Sequence, residues 1–197
     1  MRLKRTVAPV GQAVTTADLK AQLRITHALE DTYLDGLIAT AAAHFEGRDG
    51  WLNRALLTQT WIRTLSAFPA GGVDLPFPPL QSVTAVRYLD AGLVERLADP
   101  SLFYVNTGSE PGRIELLPTA VFPSTADRPD AVRIEFVCGY GTAADVPAQL
   151  KHAMKILAAG WYANREPVVV GAIVSELPLS VQALASPFKV FQCWQDS

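Results

Sequence analysis

The spacing of apolar residues changes twice along this chain, and each change marks a change of structure. Thr15-Thr16-Ala17-Asp18 has the form of a capping box, in which Thr15 accepts an orphan backbone N–H and Asp18 sits in the first turn. Leu19 and Leu23 then lie on one face and predict a short helix. From about Ala28, the residues Leu29, Tyr33, Leu37, Ala41 and Phe45 recur at steps of four, and Leu34, Ile38 and Ala42 widen the stripe. The polar Glu30, Asp31, Asp35 and Thr40 fall mostly elsewhere, so a longer helix is predicted, broken by Gly47 and Gly50.

After Leu57 the pattern alternates. TQTWIRTLS reads as a strand, and Pro69, Gly71, Gly72, Pro76, Pro78 and Pro79 then forbid a long helix. SVTAVRYLD is a second strand, turned by Asp90-Ala91-Gly92 into LVERL as a hairpin. FYVN, GRIELL and AVRIEFV follow as short strands separated by Gly, Pro and Asp, the pattern of a small antiparallel sandwich or barrel. Helical spacing returns after Cys138. Asp145 is the expected N-cap, Pro147 lies in the first turn, and Val146, Leu150, Ala153, Met154, Leu157 and Trp161 line one face to about Asn164. Beyond Pro167 the chain is apolar and Gly/Pro-punctuated, with a short helical stretch expected around 180–185.

The predicted class is α+β. A helical bundle unit forms from the N- and C-terminal flanks, 1–57 and 141–166, with a small antiparallel β domain (58–140) inserted and an extended C-terminal arm (167–197). Composition fits: among 197 residues, 49% are hydrophobic and 18% charged, enough for a buried core and wrong for a disordered chain. A net charge of −2, from 17 Lys+Arg against 19 Asp+Glu, supplies no electrostatic drive for tight binding to duplex DNA. MRLKRT is not followed by a signal-peptide core, and PVVVGAIVSELPLSV is interrupted by Glu176 and Pro178 and too short to span a bilayer. Cys138 and Cys193 make no CxxC pattern, which reads as a soluble protein of a reducing compartment.

Candidate chemistry is thin. Gly139 and Gly141 resemble the start of a phosphate loop, but the third glycine and the lysine are absent, and Asp145 would oppose a phosphate at the helix start. Gly139, Tyr140 and Gly141 are therefore read as a strand-to-helix turn. Cys138 with His152 has the residue types of a thiolate pair, yet Cys138 shares parity with Ile134 and Phe136 and is expected in the core. His27 and His44 form no metal pattern and read as surface or capping residues, and Glu30, Asp31 and Asp35 as a solvated face. No catalytic, metal or cofactor set assembles, and the chain reads as a non-enzyme. The tail, with Phe188, Lys189, Val190, Phe191 and Trp194, has two readings: it folds back on its own helices, or its aromatics anchor a partner.

The order of three stretches resembles the head–tail connector (adaptor) proteins of tailed bacteriophages and of phage-derived gene transfer agents. These are the helices ending LEDTYLDGLIATAAAHFEGRDGWLNRALLTQTW, the strand LPFPPLQSVTAVRYLD, and FVCGYGTAADVPAQLKHAMKILAAGWYANRE. The resemblance implies a structural role at the virion neck, in a protein made in the bacterial cytoplasm. Family members form a ring beneath the portal, following its twelve-fold symmetry, and extend the DNA channel toward the tail. The implied partners are the portal protein, bound by the arm; neighbouring copies of the chain; a stopper or other tail-side neck protein; and DNA, passing without sequence-specific contacts. No membrane and no cofactor is implied. The alternatives are a stopper or tail-completion neck protein, usually mostly β, and a small bacterial enzyme with Cys138 as nucleophile.

Overall fold

The computed structural model describes residues 2–69, 71–118, 120–165 and 177–191. The order is β1 (Arg2–Val7), α1 (Thr16–Leu23), α2 (Asp31–Phe45), β2 (Gln59–Leu65), β3 (Val73–Leu75), β4 (Leu80–Leu89) and β5 (Glu95–Leu97). It continues with β6 (Phe103–Asn106), β7 (Gly112–Leu116), β8 (Val132–Cys138), α3 (Ala148–Ala163) and α4 (Leu179–Ala185), with 3-10 turns at Pro100–Leu102 and Ser186–Phe188. This is an α+β fold: helices toward the N-terminus, antiparallel sheets in the middle, helices toward the C-terminus. The described residues fall into two compact units, one of residues 2–10 and 58–140 with Val190 and Phe191, and one of Gly11–Leu57 with Gly141–Lys189.

In the β unit, β8 is the central strand of a five-stranded sheet ordered β1-β2-β8-β4-β5, and β3-β7-β6 make a second sheet. Every pairing is antiparallel. Because side chains alternate along a strand, Val132, Ile134, Phe136 and Cys138 all point inward and are buried, while Arg133 faces out. The two sheets meet where Trp61 packs on Phe77, ring centroids 4.6 Å apart, and where Arg63 donates to the carbonyl of Asp74. Two strands were not foreseen. Arg2–Val7 looks like a basic leader in sequence, yet it pairs along β2 as an edge strand whose charges are compatible with an open edge. Val73–Leu75 is short and Gly/Pro-flanked, and it pairs with β7.

The helical unit is held by apolar faces that no single helix could bury alone. α2 packs on α3, α1 on both, and α4 on α3. The capping box forms as expected: the Asp18 amide donates to Thr15 Oγ1 at 3.1 Å, and the Thr15 amide donates to Asp18 Oδ2 at 3.0 Å. The face of α2 differs from the expected one. Leu34, Ile38, Ala41 and Phe45 are buried, whereas Leu29 is 90% exposed and precedes the helix, which starts at Asp31. A strict step of four drifts by about 40° per repeat around a helix, so Leu29, Tyr33 and Phe45 cannot share one face. On α3 the buried side is Leu150, Ala153, Met154, Leu157 and Ala158. Burying each such leucine contributes roughly 1.5–3 kcal/mol. The short helical stretch expected around 180–185 forms as α4, and it packs onto the helical unit: Val181 and Ala185 are fully buried.

Candidate functional site

The C-terminal segment carries the residues that sequence reading singled out for docking, and each is placed differently. Ser186–Phe188 continues α4 as a 3-10 turn with Pro187 as its second residue, and the Lys189 amide donates to the Ser186 carbonyl at 3.1 Å. The Phe188 carbonyl accepts from Arg54 Nε at 2.7 Å. Lys189 lays its ammonium over the ring of Trp51, 4.3 Å from the centroid. Val190 is buried, while Phe191 is 77% exposed. Trp194, like Cys193, lies outside the described residues. From Leu177 to Lys189 the segment therefore lies folded onto the helical unit, and Phe191 is the aromatic that faces solvent.

Neither Arg54 nor Trp51 was picked out from sequence. Arg54 is 4% exposed, unusual for a guanidinium, which cannot shed its charge and is costly to bury without acceptors. No periodicity marks it, because it sits in the irregular stretch after α2.

The turn after β8 is a local device. Gly139 and Gly141 hold φ of 114° and 129°, where side chains are disfavoured. The Gly139 amide donates to the Pro79 carbonyl at 2.9 Å, and its carbonyl accepts from Gln81 Nε2 at 2.8 Å. Asp145 is not the N-cap of α3, which begins after Pro147 without a side-chain cap. Instead Asp145 Oδ2 accepts from the Thr142 amide at 2.8 Å and from Thr142 Oγ1 at 2.7 Å, and these bonds hold its carboxyl below the usual range. A carboxylate spent this way leaves no opening for a phosphate.

The remaining candidates are tied into structure. Cys138 is buried in β8, and His152 is exposed on α3. His27 is exposed. His44 is not a surface or capping residue: its ring packs edge-on against Phe45 and Trp161, and its Nε2 is buried with no hydrogen-bond partner among the described residues. The three carboxylates stay on a partly exposed face, and each has a partner there. Asp31 pairs with Lys20 at 2.8 Å, Asp35 accepts from Thr16 Oγ1, and Glu30 accepts from both Tyr162 and Arg165. Arg165 also lies 4.8 Å from the ring centroids of Tyr33 and Tyr162, a cation between two aromatic faces. Glu30 is held below its usual pKa, by Arg165 first and Tyr162 second.

On the outer face of the five-stranded sheet a shallow depression is lined by Ile62, Ala85, Arg87, Glu95, Arg133 and Glu135. Glu95 pairs there with Arg133 at 3.3 Å and Arg87 at 3.6 Å, exposed bridges worth little each. Among the described residues no His/Cys/Asp/Glu group could hold a metal ion, and no helix is long and apolar enough to cross a membrane.

No protein-family model matches the chain, and no curated protein matches it. Solved structures do. A chain of the "Neck of empty GTA particle computed with C6 symmetry" superposes with a TM-score of 0.79 at 27% identity, covering 98% of both chains. A chain of the "Virion of native gene transfer agent (GTA) particle" gives 0.78 at 26%, again over 98% of both. A chain of the "Neck of native GTA particle computed with C12 symmetry" gives 0.72 at 26%, over 98% of both. Over nearly its whole length the chain is thus similar to a neck protein of a gene transfer agent particle, a structural virion component.

Proposed function

We propose that this chain is the head–tail connector, or adaptor, in the neck of a gene transfer agent or related tailed particle. Its work there is structural rather than enzymatic. Copies of the chain form a ring beneath the portal, extend the DNA channel and join the capsid to the tail. The observation that carries this reading is the two-way 98% coverage by a neck chain: neither chain has a domain that the other lacks. A head-to-tail contact repeated around a closed rotation makes such a ring from identical chains, here twelve to match the portal.

The helical flanks form the ring wall. The C-terminal segment docks on the portal. Of its residues Phe188, Lys189, Val190, Phe191 and Trp194, the exposed Phe191 is the anchor that the described part offers. A net charge of −2 suits a wall that DNA slides past without sticking. The four α-helices among the described residues favour the adaptor over a mostly-β stopper.

Two measurements test this. Quantitative mass spectrometry of purified particles should find this chain and the portal protein in equal copy number; absence from particles would remove the structural role. Purified chain should also bind portal assemblies lacking every other neck protein. Failure to do so would shift the reading to the stopper or tail-completion position.

A further inference from the structure

The residues that hold the start of the C-terminal segment come from a loop 134 positions earlier in the chain. We infer that Arg54 and Trp51 are positioning residues for docking: they fix the segment as far as Lys189, the second residue before Phe191. This rests on the reading above that the segment docks on the portal.

Two consecutive residues of the segment are gripped by two side chains of one loop. Arg54 Nε donates to the Phe188 carbonyl at 2.7 Å. That carbonyl ends a 3-10 turn, where the partial negative charge of the last peptides favours a cation. The next residue, Lys189, sets its ammonium 4.3 Å from the Trp51 ring centroid, inside the ~6 Å range of cation–π attraction. Immediately afterwards Val190 is buried and Phe191 is 77% exposed.

The loop that supplies the grip is itself tightly folded. The Trp51 amide donates to the His44 carbonyl at 2.8 Å, the Leu52 amide to Phe45 at 3.1 Å, and the Gly47 amide to the Arg54 carbonyl at 2.9 Å. A side chain at Gly50 would stand 2.6 Å from the Glu46 nitrogen, so only glycine allows this approach. The helix ahead of the grip needs no such help, because Val181 and Ala185 already seat α4 in apolar surroundings. The grip therefore acts on the exit of the segment rather than on the core.

Trypsin cleavage after Lys189 in the intact full-length chain reads the grip directly, with cleavage after Arg133 in the central strand as the measure of global unfolding. Arg54→Met and Trp51→Leu should each raise the initial rate after Lys189 by about tenfold, as loss of a charge-assisted contact opens the segment locally, with no rise at Arg133. An unchanged rate at Lys189 in both variants overturns the inference. So does a rise that occurs in both only in step with Arg133, since the two residues would then merely hold the fold.

Binding to purified portal separates this inference from the docking reading. Weaker binding by Arg54→Met, alongside weaker binding by Phe191→Ser, supports the positioning role. Loss with Phe191→Ser but none with Arg54→Met overturns it. Unchanged binding by Phe191→Ser strikes the docking reading alone, and the grip is then judged by cleavage.

Discussion

Gly112 lies against Leu80 so closely that a methyl group on Gly112 would stand 2.9 Å from Leu80 Cγ and nearer still to its Cβ. The two residues sit on strands of different sheets, β7 and β4, so this contact sets how near the sheets approach.

Gly112→Ala should therefore destabilise the chain by about 1–3 kcal/mol through overpacking. Gly36 in α2 has nothing within 4 Å of its missing side chain, and Gly36→Ala should stabilise by about 0.5–1 kcal/mol. Urea denaturation of the two variants checks both signs. Equal effects would mean that the sheets adjust freely around Leu80.

The bonds that Arg165 and Tyr162 make to Glu30 predict a pH dependence. Glu30 is depressed in the fold, so its contribution is complete above the ordinary carboxyl pKa of about 4.3 and is lost as pH falls through the lower folded value. Glu30→Gln should lower Tm at pH 7, and the gap to the unaltered chain should shrink as the pH drops below about 4. A gap that stays constant down to pH 3 would show that the carboxylate charge plays no part.

Cys138 is fully buried in the central strand, and a thiol shielded from solvent is inert. Peptide mapping after native-state labelling with iodoacetamide should find Cys138 unmodified, and modified only when denaturant opens the sheets. Rapid native labelling at this position would revive the nucleophile reading.

Deleting residues 186–197 looks from sequence like a clean test of docking, but it would strip Arg54 of the Phe188 carbonyl and remove the buried Val190. Phe191→Ser is the better probe. It should leave stability within about 0.5 kcal/mol, as exposed positions usually do, while weakening portal binding at least tenfold if Phe191 is an anchor. A drop in Tm with intact binding would reverse its assigned role.

Which parts of the fold were legible follows from how local their causes are. Thr15 and Asp18 declare a helix start three residues apart, and Asp90 with Gly92 declares a hairpin, so both appear in the structure where sequence puts them. β1 and β3 were invisible because Arg2–Val7 and Val73–Leu75 owe their extended form to partners far along the chain, Thr60–Thr64 and Gly112–Ile114, rather than to their own pattern. The packing of His44 and the engagement of Glu30 escaped for the same reason: Trp161, Tyr162 and Arg165 are more than a hundred residues away.

By itself the sequence determined the helix–sheet–helix order, the capped start of α1 and the apolar face of α3, all set by neighbours a few positions apart. The tertiary structure alone decided which side of α2 is buried, that the start of the tail lies on its own helical unit, and that Phe191 is left outside. Those outcomes depend on packing between segments remote in sequence, such as Arg54 reaching Phe188. A pattern of local spacing holds no record of such meetings.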